Sequence, residues 1–385
     1  MEAMEKLSTH LRNRPAELRG MKDKGVKIIG CSAGGFIPEE MIYAAGAVPV
    51  RLVRGGEPEP IEASLPYAYR WMCPFIRAQM GYQALAEDPY YQMLDLFISV
   101  VSCQHQRRLG DLYHFFTSLK VFKLGIPHFA AAHYALEYYI ESLKELKEEI
   151  ENLTGNEIGD ENLREATSLY NRMRELLKDI NSLRKAQPPL ISSKDFIQLN
   201  HASFVADPSL MVDTLHSIHQ ELKGEIVDIP DQNPQRILLT GPNLAVGDYK
   251  VIDLIEKCGA AIVAEEFCEG VRHYWESVEE TSGDLLNALG RRYLTRRVPC
   301  AFQMPSMKIR VDFIKDLAKE FKVDGVIWYQ LKNCETYNIE AFYANEQLRE
   351  VDMPFLKIES EYDPGETGGM ETRIETFVES MKRRQ

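Results

Sequence analysis

The sequence lacks any apolar run long enough to span a membrane. No stretch of the 385 residues approaches the ~20 consecutive apolar residues that cross a bilayer as a helix. The N-terminal stretch MEAMEKLSTHLRNRPAELRG is charged and has no apolar centre of the kind that signal peptides carry. We therefore expect a cytoplasmic protein with no membrane partner, in a compartment that keeps cysteines reduced.

Positive charge is in short supply. The chain has 45 Lys and Arg against 58 Asp and Glu, a formal net charge of −13. Since few groups are left to neutralise phosphates, we expect no nucleic-acid partner. With 45% hydrophobic and 27% charged residues the composition is that of an ordinary globular protein. A chain of 385 residues is long for one core, so we expect two domains.

The usual nucleotide-binding loops are also missing. The stretch GPNLAVGDYK contains glycines but does not end in the G-K-S or G-K-T of a P-loop, and CSAGGF is not G-x-G-x-x-G. We therefore expect no nucleotide bound in the common strand–loop–helix manner.

Two similar sets of β-rich apolar runs are present. The predicted strands are residues 26–30, 48–52, 96–102 and 120–125 in the first half, and 236–241, 260–266, 324–330 and 354–360 in the second. Helical patterns separate these runs, which is typical of parallel sheets built from βαβ units. The sequence predicts an α/β protein with two doubly wound domains, at residues 1–134 and 231–385. Residues 135–230 are predicted to form a helical hairpin and a connecting segment.

The predicted hairpin rests on helical periodicity. Leu143, Leu146, Ile150 and Leu153 fall on one face of an amphipathic helix. The stretch TGNEIGD then interrupts the pattern before a second helix. We interpret the many charges as a solvated face, and the hairpin as a possible contribution to a dimer surface.

Four of the seven cysteines follow predicted strands. They are Cys31, Cys103, Cys268 and Cys334. In an open parallel sheet, ligands bind at the carboxyl ends of the strands, where the loops diverge.

The other three cysteines have different settings. Cys73 and Cys300 adjoin prolines and precede helical patterns, where a helix N-terminus favours the thiolate, the form that binds metal. Cys258 is at a helix end, and we interpret it as a packing residue.

The six remaining cysteines form two triplets, one in each half: 31/73/103 and 268/300/334. Such spacing suggests ligation of one group held between the halves. Three alternatives stay open: six core cysteines, a structural zinc site without the usual C-x2-C spacing, and a nucleophilic Cys103–His105 pair that leaves five cysteines unexplained. Iron–sulfur clusters accept thiolates from distant loops, and three cysteines per cubane leave one iron free.

Several segments resemble the 2-hydroxyacyl-CoA dehydratase / benzoyl-CoA reductase family. They are CSAGGFIPEEMIYAAGAVPVRL, CPFIRAQMG, SCQHQRRLGDLYHF, DGVIWYQLKNCETYNIEAF and ESEYDPGETGGMETRIETFVESM, and their order spans nearly the whole chain. The resemblance implies two Rossmann-like domains with a cubane cluster in the cleft between them, and a dimeric assembly. It also implies a separate ATP-hydrolysing activator that supplies low-potential electrons.

Within that family, six cysteines rather than three make the chain most similar to the double-cubane cluster proteins, which carry an [8Fe-9S] cluster. The resemblance implies these ligands: Cys31, Cys73, Cys103, Cys268, Cys300 and Cys334. It leaves open which three hold which cubane. Candidate groups beside the ligands are Ser32, Gly34, Gly35, Gln104, Glu265, Tyr329 and Lys332, and candidate proton donors are His105 and Glu266.

The function implied by this resemblance is a low-potential reductase of small molecules, such as acetylene-like or nitrogenous compounds, active as a homodimer. Two alternatives stay open. One is a 2-hydroxyacyl-CoA dehydratase subunit with a single [4Fe-4S] cluster and an unlike partner subunit. The other is a non-catalytic electron-transfer or cluster-storage protein.

Overall fold

The computed structural model describes residues 2–224 and 234–383. The predicted domain boundary between residues 230 and 231 lies outside the described residues.

Eight strands form the two sheets. They are β1 (Ile28–Ser32), β2 (Val48–Leu52), β3 (Leu96–Val101), β4 (Val121–Gly125), β5 (Gln235–Thr240), β6 (Ala260–Glu266), β7 (Gly325–Leu331) and β8 (Phe355–Ser360). Each strand overlaps one of the eight predicted runs, and the bounds differ by at most two residues at either end.

Sixteen α-helices surround the sheets in the described part of the chain. They are α1 (Glu2–Asp23), α2 (Glu39–Ala44), α3 (Pro58–Ala63), α4 (Pro74–Leu85), α5 (Pro89–Gln92), α6 (Gln104–Phe116), α7 (Ala135–Thr154), α8 (Asp160–Ser182), α9 (Ser193–Ala202), α10 (Pro208–Gly224), α11 (Lys250–Lys257), α12 (Val271–Tyr274), α13 (Leu285–Gly290), α14 (Met307–Glu320), α15 (Glu335–Arg349) and α16 (Thr367–Lys382). Short 3-10 turns lie at Leu183–Lys185 and Pro364–Glu366, and a π-helical turn lies at Arg291–Thr295.

The two sheets have the same strand order. The first runs β2-β1-β3-β4 and the second β6-β5-β7-β8, and every pairing is parallel. The direction of chain progression reverses between β1 and β3, and again between β5 and β7. Loops leaving such strands diverge and open a crevice at the carboxyl edge of each sheet. The α/β class with two Rossmann-like sheets is therefore confirmed.

The strands form where they do because they are buried on both faces. Every residue of β1, β2, β5 and β7 is buried, which explains why these segments read as continuous apolar runs rather than alternating ones. β1 continues two residues past the predicted end, so Cys31 lies within the strand, opposite Arg51 and Ile98, and not after it.

The two long central helices of the predicted hairpin follow each other along the chain but pack mainly on other elements. α7 packs on β4 and α13, whereas α8 packs on α10 and α2. The predicted apolar face of α7 is real: Leu143, Leu146 and Ile150 are buried, and Leu153 is half-buried in the same apolar cluster. Leu176 and Leu177 of α8 are buried in a different cluster. The two helices thus bury most of their apolar residues against different partners, although Leu163 of α8 lies in the same cluster as the apolar face of α7.

The two halves of the chain contact each other directly. Val246, beyond β5, pairs with the segment beyond β2: its N–H donates to the Val53 carbonyl at 2.9 Å, and its carbonyl accepts the Gly55 N–H at 3.0 Å. The Arg297 guanidinium donates to the carbonyls of Gly34 and Gly35 at 2.8 and 2.6 Å. No helix among the described residues is both long and apolar enough to traverse a bilayer.

Candidate functional site

A cavity of about 140 Å³ lies between the two halves, at the carboxyl edges of both sheets. Its walls come from the loops that follow β1, β3, β5, β6 and β7, together with the starts of α4, α6 and α15. The cavity therefore occupies the crevice that the strand order predicts. Five cysteines line it: Cys73, Cys103, Cys268, Cys300 and Cys334.

Three of these cysteines begin helices. Cys73, Cys103 and Cys334 are the N-cap residues of α4, α6 and α15. The Cys103 sulfur accepts the Gln106 N–H at 3.5 Å, as an N-cap side chain does. A helix N-terminus presents free N–H groups and a positive partial charge, and both favour an anionic sulfur.

Burial works against the thiolate at the same three positions. Burial and the charge of nearby Cys103 raise the pKa of the Cys73 thiol to about 12, while the amides of Phe75 and Ile76 lower it. Burial, together with the charges of Cys73 and Cys103, holds the pKa of Cys334 well above its usual range. The three sulfurs are thus close enough for their charges to interact, and a cation is needed to keep all three deprotonated together.

Cys268 and Cys300 form a second group within the cavity. Cys268 follows β6, and Cys300 lies in the loop before α14. The interaction between the Cys268 and Cys300 side chains lowers the pKa of Cys300 and raises that of Cys268. The charges of Arg272 and Arg310 also lower the pKa of Cys300.

A buried guanidinium–phenol network adjoins this second group. Arg272 Nη1 donates to the Cys268 sulfur at 3.4 Å and to the Tyr337 hydroxyl at 2.6 Å. Arg310 Nη1 donates to the same hydroxyl at 2.9 Å. The Tyr337 oxygen lies 3.5 Å from the Cys300 sulfur. Two positive charges are therefore held close to this pair of sulfurs.

Glu269 adds an acid to the cavity wall. Its Oε1 accepts the Gly34 N–H at 3.2 Å, and its buried Oε2 has no hydrogen-bond partner among the described residues. Burial raises the pKa of this carboxyl to about 7. The Gly34 amide, predicted to face the bound group, is thus directed at a carboxylate instead. Gly34 and Gly35 have φ of +111° and +65°, a backbone region that suits glycine.

His105 also lines the cavity, as does Gln104. The His105 Nδ1 accepts the backbone N–H of Cys73 at 3.1 Å. Burial lowers the pKa of His105, so the ring is neutral at pH 7, and with Nδ1 an acceptor its proton resides on Nε2.

Cys31 does not line the cavity. It is 1% exposed, within the apolar cluster formed around Phe36 and Ile98. Cys103 and Cys300 pack against this same cluster, so Cys31 lies behind the wall to which two of the lining cysteines belong. Cys258 ends α11 and is half-buried against another apolar cluster, outside the cavity.

Three residues predicted to lie beside the ligands are elsewhere. Ser32 Oγ accepts the Val100 N–H at 2.9 Å, inside the first sheet. The Tyr329 hydroxyl donates to Asp248 at 2.6 Å, in a buried site away from the cavity. Lys332 pairs with Glu361 and lines a separate surface pocket. For these residues, proximity in sequence to a cysteine does not bring the side chain to the cavity.

The predicted acids Glu266 and Glu265 are both buried in ion pairs. Glu266 pairs with Arg272 at 2.7 Å and accepts the Thr240 hydroxyl at 2.6 Å. Glu265 pairs with Arg184 at 2.7 Å. Neither carboxyl lines the cavity; Glu266 contacts Arg272, which in turn donates to the sulfur of Cys268 in the cavity wall.

Sequence reasoning missed Glu269, Arg272 and Tyr337. Each had a positional signal: Glu269 directly follows Cys268, Arg272 is four residues beyond Cys268, and Tyr337 is three residues beyond Cys334. Offsets of three and four residues share one face of a helix, so these residues could have been proposed once the cysteines were placed near helix starts.

The donor set fits a metal–sulfur group that is larger than one ion. Among residues 2–224 and 234–383, no three His, Cys, Asp or Glu side chains converge to hold a single ion. The five thiols instead surround a shared space that Phe75 and Phe302 help to line. Thiolates are the usual ligands of iron–sulfur clusters, whose irons each bind a different cysteine.

Comparison with known proteins identifies one family and several relatives that match most of the chain. The family described as "2-hydroxyglutaryl-CoA dehydratase, D-component" matches residues 35–381. The chain is 27% identical over 364 residues to "Putative dehydratase subunit YjiM" of Escherichia coli, covering 94% of this chain and 93% of that protein. It is 21% identical to the (R)-phenyllactyl-CoA dehydratase beta subunit of Clostridium sporogenes, covering 94% of each chain. It is 22% identical to a benzoyl-CoA reductase subunit of Thauera aromatica, covering 90% of this chain and 89% of that one.

Proposed function

Since the chain belongs to the family of 2-hydroxyglutaryl-CoA dehydratase D-components, we propose that it is an iron–sulfur reductase whose cavity cysteines hold a double-cubane [8Fe-9S] cluster. The observation that carries this proposal is the number of thiols. One [4Fe-4S] cluster takes four thiolates at most, and five cysteines line this single cavity.

The cysteines divide into two ligand sets in this proposal. Cys73, Cys103 and Cys334, the three helix N-cap residues, hold one cubane. Cys268 and Cys300 hold the other, with Cys31 as the third ligand. The helix N-termini support the first set, and the contacts of Cys268 with Arg272 and of Cys300 with Tyr337, which are themselves hydrogen-bonded, support the second. Each set combines cysteines from both halves of the chain. This division differs from the sequence pattern, in which each half of the chain carries one triplet.

When bound, such a cluster would supply electrons at low potential, one at a time. In this proposal the side chains of Phe75 and Phe302 keep water away from the bound group. The backbone amides at the starts of α4, α6 and α15 are directed at the cysteine sulfurs. His105 holds a proton on Nε2 at the cavity wall, and reduction of a substrate consumes protons as well as electrons. We therefore propose His105 as a proton donor. Glu266 does not line the cavity and has no such role here.

The lining favours a small, uncharged substrate. It includes no Lys or Arg among the described residues, whereas Glu269 and Glu335 contribute acids. A phosphate-bearing arm would find no counter-charge at these walls. We therefore place small-molecule reduction ahead of chemistry on a CoA thioester.

A dehydratase subunit with one [4Fe-4S] cluster is the second candidate. Its support is that Cys73, Cys103 and Cys334 form a complete three-thiolate set by themselves, and that relatives bear dehydratase names. In either case we propose a homodimer that a separate ATP-hydrolysing activator reduces. Names that include "subunit" indicate that such relatives act with other components.

Metal analysis of anaerobically purified protein tests the proposal. We expect about eight irons and about nine acid-labile sulfides per chain for two linked cubanes. About four irons would favour the dehydratase-type site, and protein without iron would overturn both. Reduction by the activator and ATP without turnover of an uncharged small molecule such as acetylene would instead indicate an electron carrier.

A further inference from the structure

The two proposed ligand sets lie in unequal electrostatic surroundings. Around Cys73, Cys103 and Cys334 the favourable groups are backbone amides at helix starts. Beside Cys268 and Cys300 they are the guanidiniums of Arg272 and Arg310, joined through the Tyr337 hydroxyl. A full charge acts more strongly on sulfur than an amide dipole does, above all among buried groups.

Each guanidinium of the network has a carboxylate partner as well as a contact to Cys268 or to Tyr337. Arg272 contacts the Cys268 sulfur through Nη1 and the Glu266 carboxylate through Nε. Arg310 likewise contacts the Tyr337 hydroxyl through one nitrogen and Glu340 through the other. Each guanidinium thus contacts its carboxylate and the sulfur-bound part of the network through different nitrogens. Both ion pairs are fully buried, so solvent does not screen them.

We propose that Arg272 and Arg310, acting through Tyr337, raise the reduction potential of the metal bound to Cys268 and Cys300, so that this side of the cluster takes up the first electron. The inference rests on the proposed function and adds to it the side of the cluster at which the first electron enters. The electron comes from the low-potential reductant, and its uptake forms or breaks no bond in the protein. Arg272, Arg310 and Tyr337 are positioning residues, because they act on the metal through the two sulfurs. Positive charge and hydrogen bonds at cluster sulfurs are recognised determinants of potential.

The cleanest test is Tyr337→Phe. This change removes the hydroxyl that joins the guanidiniums to Cys300 and retains the ring. Arg272→Lys retains a positive charge but loses the hydrogen bonds to Cys268 and Tyr337. A matched control is Arg184→Lys, which alters an equally buried Arg–Glu pair, with Glu265 rather than Glu266, that contacts no cavity cysteine.

Iron content and an EPR-monitored redox titration of the reconstituted proteins provide the readouts. We expect full iron in all three variants. The equilibrium constant for uptake of the first electron should fall about tenfold in Tyr337→Phe and Arg272→Lys, a shift of about 59 mV to lower potential. The second electron should be less affected, and Arg184→Lys should match the parent.

Two results would overturn the inference. One is an unchanged first potential in Tyr337→Phe at full iron content, or a shift confined to the second electron. The other is loss of iron in Tyr337→Phe, since a group that only tunes potential is not needed for ligation. Absence of iron from the parent protein would contradict the proposed function instead, so the two failures are distinguishable.

Discussion

The Nδ1 atom of His105 accepts the backbone N–H of Cys73 at 3.1 Å, and this bond joins the N-termini of α4 and α6. Each of these helices begins at a cysteine of the cavity, Cys73 for α4 and Cys103 for α6. A single histidine therefore holds two candidate ligands at a fixed spacing. The same bond leaves the Nε2 proton free for chemistry.

Two substitutions of His105 separate these roles. An Asn side chain can accept the Cys73 N–H but has no counterpart of Nε2, whereas Ala has neither group. We expect His105→Asn to retain iron and to lower substrate turnover about 10²- to 10⁴-fold, the usual contribution of a positioned proton donor. His105→Ala should in addition lower the iron content. Unimpaired turnover in His105→Asn would show that the proton comes from another group.

Removal of single cysteines tests the ligand sets. We expect Cys73→Ala and Cys300→Ala each to reduce iron to about half of the parent value or less, because each set needs three thiolates. Cys31→Ala should resemble Cys300→Ala if Cys31 completes that set. Cys258→Ala is the matched control, since Cys258 lies outside the cavity, and it should retain all of the iron. Parental iron content in Cys31→Ala would remove Cys31 from the ligand set.

The buried Asp248 gives the protein a pH-dependent stability. Burial raises the pKa of this carboxyl to about 6, although the Tyr329 hydroxyl donates to it at 2.6 Å. An unfolded Asp has a pKa of about 3.9, so the folded protein binds this proton more tightly. Below about pH 4 the carboxyl is protonated in both the folded and the unfolded protein, and burying it carries no charge penalty. As the pH rises from about 4 to about 6, the free energy of unfolding decreases, by about 2–3 kcal/mol in total above pH 6.

Asp248→Asn should remove this dependence, because an amide does not titrate and still accepts the Tyr329 hydroxyl. We expect its Tm, relative to the parent, to be higher at pH 8 than at pH 5. The exposed Asp253, changed to Asn, serves as control and should show no comparable trend. A Tm difference for Asp248→Asn that does not vary with pH would contradict the assignment.

The sheets and the cysteine cavity could be anticipated because both depend on local pattern. Apolar runs bounded by turns identify parallel strands, and βα loops bring the residues after those strands to one edge. Cys103, Cys268 and Cys334 satisfy this rule and do line the cavity. Cys31 does not follow this rule because β1 continues through Ser32. The exact end of a strand is not determined by the local sequence pattern.

Side-chain direction and helix partners could not be anticipated in the same way. Tyr329 lies in a strand near a cavity loop, yet its side chain enters the opposite packing layer and reaches Asp248. The interruption at residues 155–159 predicts a turn between α7 and α8 but not which surface each helix buries. Both outcomes depend on long-range packing, which a single sequence pattern does not encode.

α4, the helix that Cys73 caps, approaches α3 closely. Gly81 lies within α4, and a Cβ atom there would be 1.8 Å from the Pro60 carbonyl oxygen. Because that neighbour is backbone, Gly81→Ala has to displace one helix, and we expect a loss of about 1–3 kcal/mol in stability together with a lower iron content. Gly20→Ala is the control: it lies in α1 with no atom within 4 Å of the added Cβ, so it should stabilise that helix by up to about 1 kcal/mol. Thermal unfolding and iron analysis of both variants provide the comparison, and parental stability and iron content in Gly81→Ala would show that the contact between α4 and α3 does not position Cys73.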